Sequence, residues 1–216
     1  MNVNLKKVIE EILKKREFDK LKHFDNMRRV LSSLISFLYG EELFVFRSSE
    51  AIGFIAGWLE DREPETVIEI IRRMFWYMNE ENGGYCPAAP LVIGEIGRNV
   101  KEVFKDFINP TISLLDNPEV EKTYALYAIG RIGVKIMNTN IDIASKLSIY
   151  LKSPNPQVRG HTAWTVGQLK LKNLTKQLYK LLQDDDKFRI YLDGDFRELA
   201  IREIASKSIE EILKAT

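Results

Sequence analysis

The sequence has little cysteine, little histidine and no excess of either charge. Its 216 residues include one Cys and two His, with 32 Lys and Arg against 31 Asp and Glu, which gives a net charge of +1. A single Cys excludes an internal disulfide and a zinc site built from paired cysteines. The balanced charge argues against a dedicated nucleic-acid binder, because such proteins usually carry a basic excess.

Long hydrophobic runs are also missing. No apolar stretch approaches the roughly 18 residues that a membrane span requires, and the first 16 residues lack the apolar core of a signal peptide. Hydrophobic residues make up 45% of the chain and charged residues 29%, which is the composition of a globular protein. We therefore expect a soluble, cytoplasmic protein that does not contact membranes.

A five-residue phrase recurs along the chain, with Ile or Val first and Ile or Leu fourth. It occurs at 52–56, 93–97, 129–133 and 166–170, with a degenerate copy at 201–205. The second positions of successive copies are separated by 41, 36, 37 and 35 residues. Two helices of about 12–15 residues with two short turns fill such a period. The phrase therefore predicts repeats of two helices, the first of which carries the phrase.

Glycines within the phrase indicate close helix packing. Glycine inside a helix costs about 1 kcal/mol relative to alanine, so something must offset that cost. We expect Gly94, Gly130 and Gly133 to lie where two helices meet, since a residue without Cβ lets backbones approach. No glycine-rich phosphate-loop motif follows a strand here.

Apolar residues at three- and four-residue spacing predict the second helix of each repeat, near 67–75, 108–115, 143–151 and 174–182. Helix starts are indicated as well. Asn117 and Asn155 each precede a proline, the arrangement of an N-cap followed by proline at the first helical position. Asp195 and Glu198 resemble a capping box, which predicts a last helix over Phe196–Lys214.

The turn Asn155–Arg159 and the small residues that follow it, Ala163 and Gly167, resemble HEAT repeats. The resemblance is to the short bacterial and archaeal type named after phycobilin-lyase HEAT-like repeats, in which a Val-Arg pair opens the first helix. The match at 196–201 is partial, and 119–122 lacks the arginine, so a ladder of Asp and Arg between turns is incomplete. The resemblance covers the chain from about Ser48 to its end.

This resemblance implies an all-α fold, an α-solenoid of about four to five HEAT-like two-helix repeats. Residues 1–46 lack the phrase and are predicted to form an N-terminal helical cap, with the repeats in one continuous domain at 47–216.

Proteins of this type act as scaffolds, as chromophore lyases or their chaperones, and in one branch as DNA glycosylases. We expect a non-enzymatic scaffold that binds another protein. An accessory lyase or chaperone for a modified protein, and a nucleic-acid binder of the glycosylase type, are the alternatives.

One segment, 75–90, lengthens the first repeat and is similar to a segment of uncharacterised prokaryotic HEAT-repeat proteins. It gathers carboxylates, amides and aromatic rings beside two arginines. The residues of this candidate surface are Arg72, Arg73, Trp76, Asn79, Glu80, Glu81, Asn82 and Tyr85. Arginine with aromatic rings is typical of binding interfaces, and the oxygen groups would suit a cation or polar ligand. The alternative is a plain helix end with solvated carboxylates.

The same segment contains the sole cysteine, Cys86. A cysteine nucleophile needs a base nearby, and the two histidines, His23 and His161, are distant in the sequence. We expect a packed thiol, and we predict no catalytic residue, no metal site and no cofactor. Glu80, beside Trp76 and Arg72, is the single feature that would suit a glycosylase.

Overall fold

A computed structural model describes residues 2–78 and 84–215. The chain forms two compact units, Met1–Phe104 and Lys105–Thr216. Most of the described residues are helical, as predicted, but the second unit also contains a two-stranded sheet, which departs from an all-α fold. The predicted boundary at residue 46 falls within a helix over Glu42–Leu59, so the helix that carries the first phrase begins before it.

The first unit is built from helices. They are α1 (Asn2–Lys15), α2 (Met27–Phe37), α3 (Glu42–Leu59), α4 (Pro64–Trp76) and α5 (Ala89–Asn99), with a 3-10 helix at Phe18–His23. Helix α3 lies at the centre of this unit, because it packs against α1, α2, α4 and α5. Its buried residues include Ile52 and Ile55 of the phrase, which are fully enclosed.

Helices α3 and α5 approach each other closely along their phrases. A Cβ placed on Gly53 would lie 2.6 Å from the carbonyl carbon of Glu95, so no larger residue fits there without a backbone shift. At the end of α3 the Glu60 carboxylate accepts hydrogen bonds from the backbone N–H groups of Lys101 and Glu102, at 2.9 and 2.7 Å. This carboxylate ties the end of α3 to the loop that follows α5.

The second unit alternates longer and shorter helices before it ends in a hairpin and a last helix. The α-helices are α6 (Ile108–Ser113), α7 (Lys122–Ile132), α8 (Ile143–Tyr150), α9 (Pro156–Gln168), α10 (Thr175–Lys180) and α11 (Ile201–Lys214). Short 3-10 helices lie at Lys105–Phe107, Gly133–Met137, Lys172–Leu174 and Leu181–Gln183. The strands are β1 (Lys187–Leu192) and β2 (Asp195–Ala200).

Helices α7, α9 and α11 carry the last three copies of the phrase and pack in that order. Trp164 of α9 covers Gly130 of α7, and a Cβ on that glycine would overlap the indole ring. The same indole stacks on Tyr127, with 5.3 Å between ring centroids. On the other side of α9, Gly167 faces Ser208 of α11, where a Cβ would lie 2.7 Å from the serine Cβ. The expected role of small residues is thus confirmed at Gly130.

Gly133 has a different role from the one expected. It follows the last residue of α7 and has a φ of 67°, a conformation that non-glycine residues rarely adopt. A Cβ on Gly133 would lie 3.8 Å from the nearest atom, which is an ordinary contact distance. Gly133 therefore ends the helix and does not serve a close approach.

Of the two asparagines predicted to cap helices, one does so. The Asn155 side chain accepts a hydrogen bond from the backbone of Gln157 at 2.9 Å, with Pro156 at the first helical position. The prediction for Asn117 is wrong, because α7 begins at Lys122 and its cap is Glu121. Asn117 accepts from the backbone of Glu119 and so stabilises a turn before the helix.

The predicted last helix over Phe196–Lys214 is also wrong in its first part. Asp195–Ala200 is strand β2, which pairs antiparallel with β1 from Leu192↔Asp195 to Lys187↔Ala200. The two-residue loop Asp193-Gly194 has φ values of 55° and 94°, and the type I′ turn, which is common in tight hairpins, requires positive φ at both positions. Helix α11 starts at Ile201, where the Glu203 carboxylate accepts the backbone N–H of Ala200 at 2.9 Å.

Helix α9 holds the start of this hairpin through Arg159. Its guanidinium donates to Asp184 at 2.9 Å and to Asp186 at 2.6 Å, and the side chains of Arg159 and Asp184 are both mostly buried. The pKa of Arg159 is raised, first by its hydrogen bond to Asp184. Strand β1 then lays Phe188 and Ile190 against the core, with the exposed Lys187 and Arg189 alternating with them.

Candidate functional site

Helix α4 positions the arginines and the tryptophan of the candidate surface. Val67, Ile70, Ile71 and Met74 bury one face of this helix, so its opposite face points to solvent. That outer face carries Arg72 and Trp76, which lie four residues apart and are therefore neighbours on the helix surface. Trp76 ends the helix and is 51% exposed.

Tyr77 fixes the conformation of this helix end. Its backbone N–H caps α4 by donating to the carbonyl of Arg73 at 3.0 Å. The Arg73 Nε donates to the Tyr77 hydroxyl at 2.5 Å, and the guanidinium lies 5.1 Å from the centroid of the ring. The Trp76 ring lies 5.5 Å from that of Tyr77. Arg73 is therefore partly committed to an internal contact.

Half of the predicted surface is described by the structure. Asn79, Glu80, Glu81 and Asn82 lie outside the described residues, whereas Arg72, Arg73, Trp76 and Tyr85 lie within them. The described chain resumes at Gly84, close to the rings of Trp76 and Tyr77. Tyr85, the next residue, is half-buried.

Tyr39 is a member of this surface that sequence reasoning missed. It follows α2 and its hydroxyl donates to the carbonyl of Gly84 at 3.2 Å, which joins the end of α2 to the segment after α4. Tyr39 is 55% exposed, and burial of its hydroxyl end together with the nearby Cys86 raises the pKa of Tyr39 to about 12. The one feature of the sequence that could have indicated this role is the position of Tyr39, an aromatic residue directly before Gly40 at the end of a helix.

Cys86 is packed, as predicted, beneath this surface. Its side chain is fully buried, and its backbone N–H donates to the carbonyl of Tyr77 at 2.8 Å. Burial raises the pKa of the Cys86 thiol, so the thiol stays protonated and is a weak nucleophile at neutral pH. Within the described residues, no group of three His, Cys, Asp or Glu side chains could hold a metal ion.

Two grooves flank α2, and Arg73 of the candidate surface lines one of them. The α2–α4 groove has a volume of about 220 Å³, and its lining residues are Arg28, Leu31, Ser32, Ile35, Thr66, Glu69, Ile70 and Arg73. The α1–α2 groove has a volume of about 400 Å³, and its lining residues are Leu5, Lys6, Arg29, Ser32, Ser33 and Ser36. The α2–α4 groove has an apolar floor between polar rims. The α1–α2 groove is lined mostly by serine hydroxyls and basic side chains.

None of the described helices combines the length and the apolar character needed to cross a membrane. No protein-family model matches the chain. A protein of Archaeoglobus fulgidus described as an uncharacterized protein is 46% identical over 101 residues, which is 46% of this chain and 52% of that relative. The match thus spans about half the length of either protein. Over that half, the chain is similar to a protein that is described only as uncharacterized.

Proposed function

We propose that this protein is a non-enzymatic scaffold of the HEAT-like type that binds another protein. Two features support the architecture. The phrase lies on α3 and α5 in the first unit and on α7, α9 and α11 in the second, and the phrase helices of each unit pack against one another in chain order. Such stacking of phrase helices is the arrangement expected of a helical repeat protein.

The observation that carries the binding proposal is the exposure of Trp76 beside arginine and tyrosine. An indole left half in solvent at a helix end leaves apolar area that a partner can bury. Trp, Tyr and Arg are the residues that most often dominate the free energy of protein–protein binding. Trp76, Arg72 and Tyr39 provide all three types on the surface of the first unit.

Site-specific photo-crosslinking tests this proposal. A photoreactive phenylalanine analogue at position 76 should yield a discrete crosslinked protein when the chain is expressed in its native host. The same analogue at position 179 is the control, because Tyr179 is also 51% exposed but lies in the second unit. Replacing Trp76 by Ala in an affinity-tagged chain should release the same partner, while Tyr179→Ala retains it.

Three outcomes would contradict a protein-binding scaffold. Position 76 could give no crosslink above the level of position 179. A chromophore absorbing visible light could copurify with the chain, which would favour the lyase or chaperone alternative. Nucleic acid could copurify and depend on Trp76, which would favour the glycosylase-type alternative.

A further inference from the structure

Helix α2 carries arginines that have no partner within the described residues. Arg28 and Arg29 are exposed, as is Arg72 on α4. The side chains of these three arginines make no hydrogen bond or ion pair with any residue that the structure describes. By contrast, Arg16 pairs with Glu50, and Arg159 pairs with Asp184. These three arginines therefore leave unpaired positive charge on α2 and α4.

The position of Arg28 and Arg29 within α2 is unfavourable for the helix itself. They are the second and third residues of the helix, which begins at Met27 and contains no acidic residue. A helix N-terminus carries partial positive charge and is stabilised by anions, so two adjacent cations there repel it. A bound anion would offset the repulsion between the two arginines and the helix N-terminus, and would therefore explain why cations occupy these positions.

The two grooves extend this basic surface to both sides of α2. Lys6 and Arg29 line the α1–α2 groove, whose described lining residues include no acid. Arg28 and Arg73 line the α2–α4 groove, where Glu69 is the acidic member of the lining. The surface formed by α2 and its two grooves, the α2 surface, is thus basic on both sides.

The floor of the α2–α4 groove indicates the kind of anion that fits. Leu31, Ile35 and Ile70 form an apolar floor between Arg28 and Arg73. The groove volume of about 220 Å³ is below the roughly 300–1,000 Å³ of small-molecule sites, but one aliphatic side chain can enter it. Helix α2 has 11 residues and is about 16 Å long, which an extended peptide of about five residues spans.

We propose that the α2 surface binds an extended acidic segment of the partner protein, with Asp or Glu side chains on Arg28 and Arg29 and an aliphatic side chain in the α2–α4 groove. This inference rests on the proposed protein-binding function and defines the chemistry of the partner. A nucleic acid fits less well, because the apolar floor of the α2–α4 groove offers nothing to a phosphate group. Exposed aromatic rings for base stacking are also absent from the described linings of both grooves.

Fluorescence anisotropy with defined probes tests this proposal on the full chain. The probe is a labelled ten-residue peptide in which pairs of Glu alternate with single Leu. The comparison probes are the same peptide with Gln for Glu, the same peptide with Ser for Leu, and a single-stranded oligothymidylate of equal charge. We expect the Glu–Leu peptide to bind most tightly, with an affinity that falls as salt is raised.

Charge reversal on α2 gives the decisive comparison. Arg28→Glu with Arg29→Glu should weaken binding of the Glu–Leu peptide by about tenfold or more, since two attractive pairs become repulsive. The same double variant should melt at an equal or higher temperature, because the new carboxylates suit the helix N-terminus. The control, Lys176→Glu with Lys180→Glu on the exposed face of α10, changes the net charge equally and should leave affinity unchanged.

The proposal is overturned if the Glu–Leu peptide binds no better than its Gln counterpart, or if both double variants weaken it equally. Tighter binding of the oligothymidylate would overturn it in favour of nucleic acid. A protein crosslinked from position 76 would keep the scaffold proposal intact even if every acidic peptide failed. Acidic peptide binding without any crosslinked protein would instead count against the scaffold.

Discussion

At the scale of single residues, two buried side chains show how tightly the second unit is packed. Trp164 occupies the space that a Cβ on Gly130 would take, and its ring lies against Tyr127. His161, on the same helix, is buried with its ring 5.7 Å from that of Phe188. Its Nδ1 lies 2.8 Å from the carbonyl oxygen of Gln157, so Nδ1 carries the hydrogen and donates it. Trp164 and His161 each give a testable prediction about the stability of the protein.

Replacing Gly130 by Leu should destabilise the protein by about 1–3 kcal/mol, because the new side chain must displace the indole of Trp164 from its stack on Tyr127. Urea unfolding followed by circular dichroism measures this change. Gly40→Ala is the control, since a Cβ there meets its nearest atom at 3.4 Å. Equal midpoints for the Gly130 variant and the unmodified protein would contradict the packing role of this glycine.

The stability of the fold should decrease in mild acid because of His161. Burial lowers the pKa of His161 from 6.5 to about 4, so the folded state holds a neutral ring while the unfolded chain binds a proton below pH 6.5. The stabilising contribution of His161 to the free energy of unfolding is therefore complete above pH 6.5, and it is lost as the pH falls towards 4. We expect His161 to reduce the free energy of unfolding by about 2 kcal/mol between pH 7 and pH 5.

His161→Phe isolates this effect, because it keeps an aromatic ring but removes the titration. Denaturant unfolding of both proteins at pH 7 and pH 5 should show the larger loss in the unmodified chain. A matching pH dependence in the variant would assign the acid sensitivity to other groups.

At the scale of elements, the phrase and the apolar spacing are enough to predict most helices but not the hairpin. Each of the five copies begins within an α-helix, although the copies at 129–133 and 166–170 run past the ends of α7 and α9. The capping-box pattern predicts that the segment before the fifth copy belongs to the same helix, although Asp-Gly between alternating apolar residues is a hairpin signal. The pairing of β1 with β2 follows from a turn of two residues, which a period of about 35 residues does not reveal.

The turn of the hairpin should be sensitive to substitution at Gly194. Its φ of 94° is disfavoured for a residue with a Cβ, so Gly194→Val should cost about 1–3 kcal/mol. Amide hydrogen exchange in β1 and β2 reports the loss directly, and exchange should accelerate there more than in α7. Asp193→Asn is the matched control, because asparagine tolerates the positive φ of that position. Unchanged protection of the hairpin in the Gly194 variant would show that packing on α9 alone fixes the turn.

At the scale of the whole molecule, the sequence predicts helix content better than it predicts the division of the chain. A single repeating phrase gives no signal for the boundary between Met1–Phe104 and Lys105–Thr216, because the phrase crosses it without a break in period.

The candidate surface was predictable in part. Arg72 and Trp76 follow from α4 periodicity, whereas Tyr39 joins the surface through a contact with Gly84, 45 residues away. Contacts of that range depend on tertiary packing, which local patterns do not encode.

The second unit should fold by itself. Its core contains large, fully enclosed rings of its own, among them Tyr127, Phe188 and Tyr191, and compact units with their own core commonly fold alone. Residues 105–216 expressed separately should show a helical circular dichroism spectrum and a cooperative melt. A spectrum of an unfolded chain, or a melt without a cooperative transition, would mean that this unit depends on residues 1–104.

The stacking of Trp164 on Tyr127 also has an optical consequence. The chain has three tryptophans: Trp58 and Trp76 belong to the first unit, and Trp164 belongs to the second. Replacing Trp58 and Trp76 by phenylalanine leaves one enclosed indole, whose emission shifts to longer wavelength when water reaches it. Replacing Trp164 leaves two indoles that report on the other half of the chain. A pair of such variants would record the melting of each half separately by light emission, without added dyes.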